Sequence, residues 1–349
     1  MLKIIKSNSA KILLLAIVLY SLKMSAPLFK SYQGLALSEP VAGAYRSDEK
    51  IFLKTFYLVK SGNNYYDSFQ NASANDFANI KLGPDVFTWR FPTVFYFWQF
   101  AQNGNQVLIL YWVLAGLFLV SIYKIASKLH STTAGLLSVL LTLPYFAGNL
   151  SYKTSFLFVE WWALFFFSFG LAFFVHKKFI PAWILFLTAV ATRELMIIPV
   201  IAFLILSIWL KKNKIFFATL ILSSLIVFTA HANFVFSRFP DTYQTPNIIS
   251  RLHTPDKQSF LTMISFSMQN YPLTKYRINL FLIALAFISL IVNVKRKGNR
   301  EKLYFLLVPW SMLITFPFIT TTFYNDYWGI IFMPLLISTI PFLLSKQKT

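Results

Sequence analysis

Apolar runs, most of about 17 to 25 residues, recur along this chain, the length needed to cross a hydrocarbon core of about 30 Å as a helix. Only helices and closed barrels satisfy their own backbone hydrogen bonds in lipid, so these runs dictate the fold class. They fall at about residues 12–28, 107–126, 132–150, 155–175, 215–234, 280–294, 303–323 and 327–344. A further apolar stretch, 179–210, is interrupted by Thr192-Arg193-Glu194. Hydrophobic residues make up 57% of the 349 positions, more than a soluble protein of this length carries. The sequence therefore predicts an all-α polytopic membrane protein forming a single integral domain over residues 1–349.

Charge orients it. A net charge of +20 would suggest nucleic acid in a soluble protein. Here cytoplasmic loops collect Lys and Arg, and no soluble basic domain is evident, so no nucleic-acid partner is expected. The stretch 179–210 decides the topology. Read as one span, it puts Lys211, Lys212 and Lys214 opposite Lys177 and Lys178; read as a hairpin of two short spans, it puts all five on one side. The hairpin gives about ten spans with both termini cytoplasmic, in a plasma or inner membrane. Lys3, Lys6, Lys11, Lys124, Lys128, Lys295, Arg296, Lys297, Arg300, Lys302, Lys346 and Lys348 then join the cytoplasmic side. Of the twelve acids only Glu301 goes with them. The first run lacks a clear small-residue cleavage site and reads as an uncleaved span. Two long polar segments, 29–106 and 237–277, fall outside.

Within the first, residues 45–69 stand out. Ser47 caps a helix whose first turn holds Asp48 and Glu49. Phe52, Phe56 and Val59 share one face, with Lys50, Lys54, Tyr57 and Ser61 on another, as in an amphipathic helix lying on a membrane surface. The helix dipole alone accounts for two acids there; a general base at the bilayer surface is the chemical alternative. Cysteine is absent, which excludes disulfides and thiolate chemistry. There is no Gly-rich phosphate loop and no His cluster, hence no sign of a nucleotide site inside and no assigned metal.

Asp48-Glu49, the helix, Gly62 and Tyr65-Tyr66-Asp67-Ser68-Phe69 resemble the first external loop of the GT-C membrane glycosyltransferases that use polyprenyl-phosphate sugars. That superfamily includes the protein O-mannosyltransferases and the lipid A aminoarabinose transferases. Arg90-Phe91-Pro92-Thr93, with Tyr96 and Trp98, is similar to its basic-Pro-Pro-aromatic segment, with Arg for the usual Lys and Phe91 for the first Pro. Ala191-Thr192-Arg193-Glu194, followed by Pro199, is similar to its Thr-Lys-Gly, with Glu194 departing from the Gly. The order of these segments carries the resemblance over residues 10–210.

The resemblance implies an inverting transfer of sugar from a polyprenyl-phosphate carrier to an acceptor hydroxyl on a lipid, glycan or protein, at the extracytoplasmic face among membrane lipids. Asp48 would be the base with Glu49 in support, and Arg90 and Arg193 would hold the phosphate. Asp67 would take a second substrate hydroxyl, and Glu160 and Glu194 join as substrate-binding candidates. No cofactor is assigned; a divalent metal at Asp48 and Glu49 stays open. Structural alternatives stand beside these roles: Arg90 as an interfacial anchor, Arg193 with Glu194 as an ion pair closing the hairpin, Glu160 as partner of Lys153 or Arg193, and Asp67 as a turn acid. Arg238, Asp241 and Arg251 in the second loop could reach an acceptor. A polysaccharide or O-antigen polymerase shares the fold class but relies on Arg-rich outer loops. A transporter or flippase predicts inverted repeats and mid-span acids, whereas no repeat is visible and only Glu160 lies deep.

Overall fold

The computed structural model describes residues 47–73, 86–149, 155–239, 254, 257–266, 276–296, 300–319 and 326–344. These residues are helical, with no strand among them. The expected first span, 12–28, lies outside the described residues, as do Lys153, Asp241 and Arg251.

The first loop folds into α1 (Ser47–Lys60), α2 (Tyr65–Ser73) and α3 (Thr93–Trp98). Helices then occupy the expected apolar runs: α4 (Gly104–Leu129), α5 (Thr132–Asn149), α6 (Val159–Val175), α7 (Phe179–Val190), α8 (Ile197–Trp209) and α9 (Lys214–Phe236). After α10 (Lys257–Phe266) come α11 (Tyr276–Lys295), α12 (Lys302–Ile319) and α13 (Gly329–Ser338), the last continued by a 3-10 turn at Ile340–Leu343. Among the described residues, α4, α9 and α12 are long and apolar enough to cross a membrane, and α5, α6, α7, α8, α11 and α13 are shorter apolar helices.

The core is built on α6 and α13. In α6 only Phe169 and Phe173 escape full burial, and all ten residues of α13 are buried. An all-round apolar helix is stable only when enclosed. Here α4, α7 and α13 enclose α6, while α5, α6, α10 and α12 enclose α13. At the α6–α7 crossing Gly170 lets the backbones approach: a Cβ there would stand 3.0 Å from the Phe186 ring and 3.2 Å from the Ala182 carbonyl.

Two expectations are sharpened. The interruption at 192–194 is indeed a turn, between α7 and a 3-10 turn at Glu194–Met196. Its two arms, of 12 and 13 residues, rise only about 18 to 20 Å, short of a full crossing. Helix α1 does not rest its apolar face on lipid. Ile51, Phe52, Leu53, Phe56 and Val59 are buried against α2, α3 and the 155–157 turn, with Phe52 edge-on to Phe95 and Phe56 edge-on to Trp98. The remainder of the loop supplies an apolar cover that sequence periodicity cannot distinguish from lipid.

The bundle has two chemically distinct ends. At one, Lys177 pairs with Glu301 at 2.6 Å, Arg300 lies over Trp209, and Lys302 donates to Asn293 at 3.0 Å. Lys124, Lys128 and Lys178 surround His176 there; its partial burial, then those cations, lower its pKa. At the other end gather the first-loop helices and the acids.

Candidate active site

The segment from α1 to α3 is folded back on itself by Gly62. Asn63 donates its backbone N–H to Leu58 O and Gly62 donates to Val59 O, closing α1 with a left-handed residue at φ +94° that favours glycine. The reversal brings Tyr65 beneath Arg90, whose carbonyl accepts the Tyr65 hydroxyl. Thr93 donates to the Ala191 carbonyl, tying the Arg90 segment to the hairpin turn.

On this frame two linked groups form. In the first, Arg90 Nη2 donates to the Tyr327 hydroxyl at 3.1 Å, and Tyr327 donates to Asp48 Oδ2 at 3.2 Å. Tyr327 is 4% exposed and stacks on Phe158 at 4.8 Å. Arg90 Nη1 also reaches Phe87 O at 3.5 Å, and its guanidinium lies 5.9 Å from the Phe52 ring centre. In the second group, Arg193 Nε is 2.7 Å from Glu160 Oε1, while Nη1 pairs with Glu194 Oε1. The Arg193 guanidinium sits over the Trp328 ring at 5.4 Å. Glu160 occupies the first turn of α6, where the helix dipole favours an acid.

The groups share one field. Burial alone would lower the pKa of Arg90, but Tyr327, Glu160, Asp48 and Glu194 outweigh it and raise the value further, so the guanidinium stays charged. Among the described residues Arg90 has no direct carboxylate partner, whereas Arg193 is engaged by two. Arg90 Nη1 and Nη2 donate to Phe87 O and Tyr327, and its buried Nε has no hydrogen-bond partner among the described residues.

Of the residues singled out in the sequence, Asp48, Arg90, Glu160, Arg193 and Glu194 converge. Asp67 does not: it pairs with Arg238 at 2.7 Å on the exposed flank of α2, and Arg238 also lies over the Tyr66 ring. Neighbouring positions on a helix project about 100° apart, so Glu49 turns inward and is fully buried while Asp48 is half-buried and faces Tyr327. No group of three or more metal-binding side chains occurs among the described residues. Tyr327 and Trp328 were not singled out in the sequence. The available signal was their place at the start of an apolar run, after Asp326.

No protein-family model matches this chain, and neither do curated proteins or solved structures. Functional assignment rests on the residues themselves.

Proposed function

We propose that the chain is an inverting glycosyltransferase that moves a sugar from a polyprenyl-phosphate carrier to an acceptor hydroxyl at the extracytoplasmic membrane face. One observation carries this reading: a half-buried carboxylate, Asp48, is joined through Tyr327 to Arg90, a half-buried guanidinium with no direct carboxylate partner among the described residues. That is a base beside an anion-binding group, the minimum that glycosyl transfer from a phosphate requires.

In the proposed reaction the acceptor hydroxyl gives its proton to Asp48 as its oxygen attacks the anomeric carbon. The bond from that carbon to the phosphate oxygen breaks, and the electron pair leaves with the polyprenyl phosphate. Arg90 offsets the charge growing on that oxygen. Tyr327 occupies Oδ2 of Asp48, leaving Oδ1 for the acceptor. Glu49, fully buried, supports the helix rather than the proton transfer. Arg193, already held by two carboxylates, orients them.

On this reading the Lys-rich end is cytoplasmic, the chain crosses about ten times, and both termini are inside. Glu160 lies 16 residues before His176, about 24 Å along α6, a rise that supports a site near the outer headgroups. The lateral approach of a lipid-linked donor suits that depth. The test is to incubate the purified chain with a panel of polyprenyl-phosphate sugars and measure released polyprenyl phosphate. No release from any donor, with intact protein, would remove the proposal.

A further inference from the structure

Several buried polar atoms in this cluster lack a hydrogen-bond partner among the described residues: Glu160 Oε2, Glu194 Oε2, Trp328 Nε1 and Arg90 Nε. Native proteins leave few such atoms, because each one is costly when withdrawn from water unpaired. Glu160 is fully buried and Trp328 is 6% exposed, so bulk solvent does not serve them. Glu160, Glu194 and Trp328 all contact one ion-paired arginine, Arg193, so three of these atoms belong to residues that share a neighbour.

The chemistry of the set narrows the ligand. Two of the atoms are carboxylate acceptors and two are N–H donors. A phosphate satisfies only the donors, and a simple cation satisfies only the acceptors. A ring hydroxyl both donates and accepts, so a polyhydroxylated ring meets all of them at once. The cations divide in the same way. Arg193 has its positive charge balanced by Glu160 and Glu194 and has little left for an anion, whereas Arg90 has no direct carboxylate partner among the described residues.

We infer that Glu160, Glu194 and Trp328 form a sugar-ring subsite, with the carboxylates accepting from ring hydroxyls, the indole N–H donating to one, and Arg193 acting as the positioning residue that holds both carboxylates. The phosphate lies at Arg90, one group away. The identity of the carrier lipid rests on the glycosyltransferase reading; the subsite does not.

The test compares binding of bare polyprenyl phosphate and of polyprenyl-phosphate hexose to the full chain in detergent. Wild type is expected to bind the hexose-bearing carrier about tenfold more tightly, a gain of the size that a few charged hydrogen bonds supply. Glu194→Gln is expected to erase that gain while binding of the bare carrier persists. Trp328→Phe keeps the ring, removes the N–H, and is expected to cut the gain several-fold, which keeps the test open if Glu194→Gln fails to fold. Retention of the full gain in both variants, or no gain in wild type, overturns the subsite, the latter meaning that water occupies these atoms. A gain that both variants lose, in a protein that transfers sugar to no acceptor, supports the subsite and removes the glycosyltransferase reading.

Discussion

Arg193 Nε lies 2.7 Å from Glu160 Oε1, and both side chains are withdrawn from solvent. The pair joins the first turn of α6 to the turn of the α7–α8 hairpin, with Glu194 closing on the same guanidinium. Breaking a buried pair by removing one partner leaves the other charge uncompensated, which costs about 3–5 kcal/mol. Arg193→Met is expected to destabilise the protein by that amount in detergent unfolding, and adding Glu160→Gln is expected to recover part of it. A loss below about 1 kcal/mol would mean that water reaches the pair.

Asp48→Asn is expected to reduce transfer by about 100-fold or more while expression and membrane insertion stay normal. Tyr327→Phe keeps the stack on Phe158 but releases Asp48 from Arg90, and is expected to lower transfer by about 10- to 100-fold. Release of polyprenyl phosphate is the measurement for both. Full activity in the Asp48 variant removes that carboxylate from the base role.

Alkaline pH tests the packing of the first loop. Burial, then the neighbouring Tyr66, pushes the Tyr65 phenol well up, with Arg90 opposing; burial raises Tyr66 as well. A folded pKa above the unfolded value means that the contribution is complete below about pH 10 and is lost as pH rises beyond it. Thermal stability is expected to stay level from about pH 7 to 9.5 and then fall, with tyrosinate absorbance appearing as the protein unfolds. Ultraviolet titration showing both phenols ionising near pH 10 in the folded protein would contradict their burial.

Two glycines are expected to respond in opposite directions. Gly170→Ala drives a methyl toward Phe186 and the fixed Ala182 carbonyl, and is expected to cost about 1–3 kcal/mol. Gly116 in α4 has nothing within 4 Å of its would-be Cβ, so Gly116→Ala is expected to be neutral or to stabilise by up to about 1 kcal/mol through helix propensity. Paired melting curves decide it.

Tags at Asn213 and Asp256 test the sidedness. Asn213 follows α8 at the basic end and Asp256 belongs to the second long segment, so the tags are expected to report opposite faces. The topology fails if they report the same one.

The sequence made some of this legible for physical reasons. Lysines at both ends of 179–210 pointed to a reversal, because an apolar run brings its two ends back to one side only through a turn, and a turn falls within residues 191–196. The pairing of Asp48 with Tyr327 was not legible, since 279 residues separate them and no local pattern records the contact. The pairing of Asp67 with Arg238, 171 residues away, was likewise not legible in the aromatic-acid motif around it. The buried face of α1 was read correctly as apolar, but periodicity does not say whether lipid or protein covers it. Helix geometry, which sends consecutive side chains in different directions, is what turns Asp48 toward Tyr327 and buries Glu49.

The separation of the bundle into a lysine end and an acidic end has an electrical consequence. Carrying one elementary charge across a membrane costs or yields about 2.3 kcal/mol per 100 mV. In a reaction whose proton is taken up at Asp48, and whose phosphate is released beside Arg90, no charge has to traverse the span between the two ends. Turnover should then be indifferent to the membrane voltage, so that a cell with collapsed potential would still run the transfer at full rate.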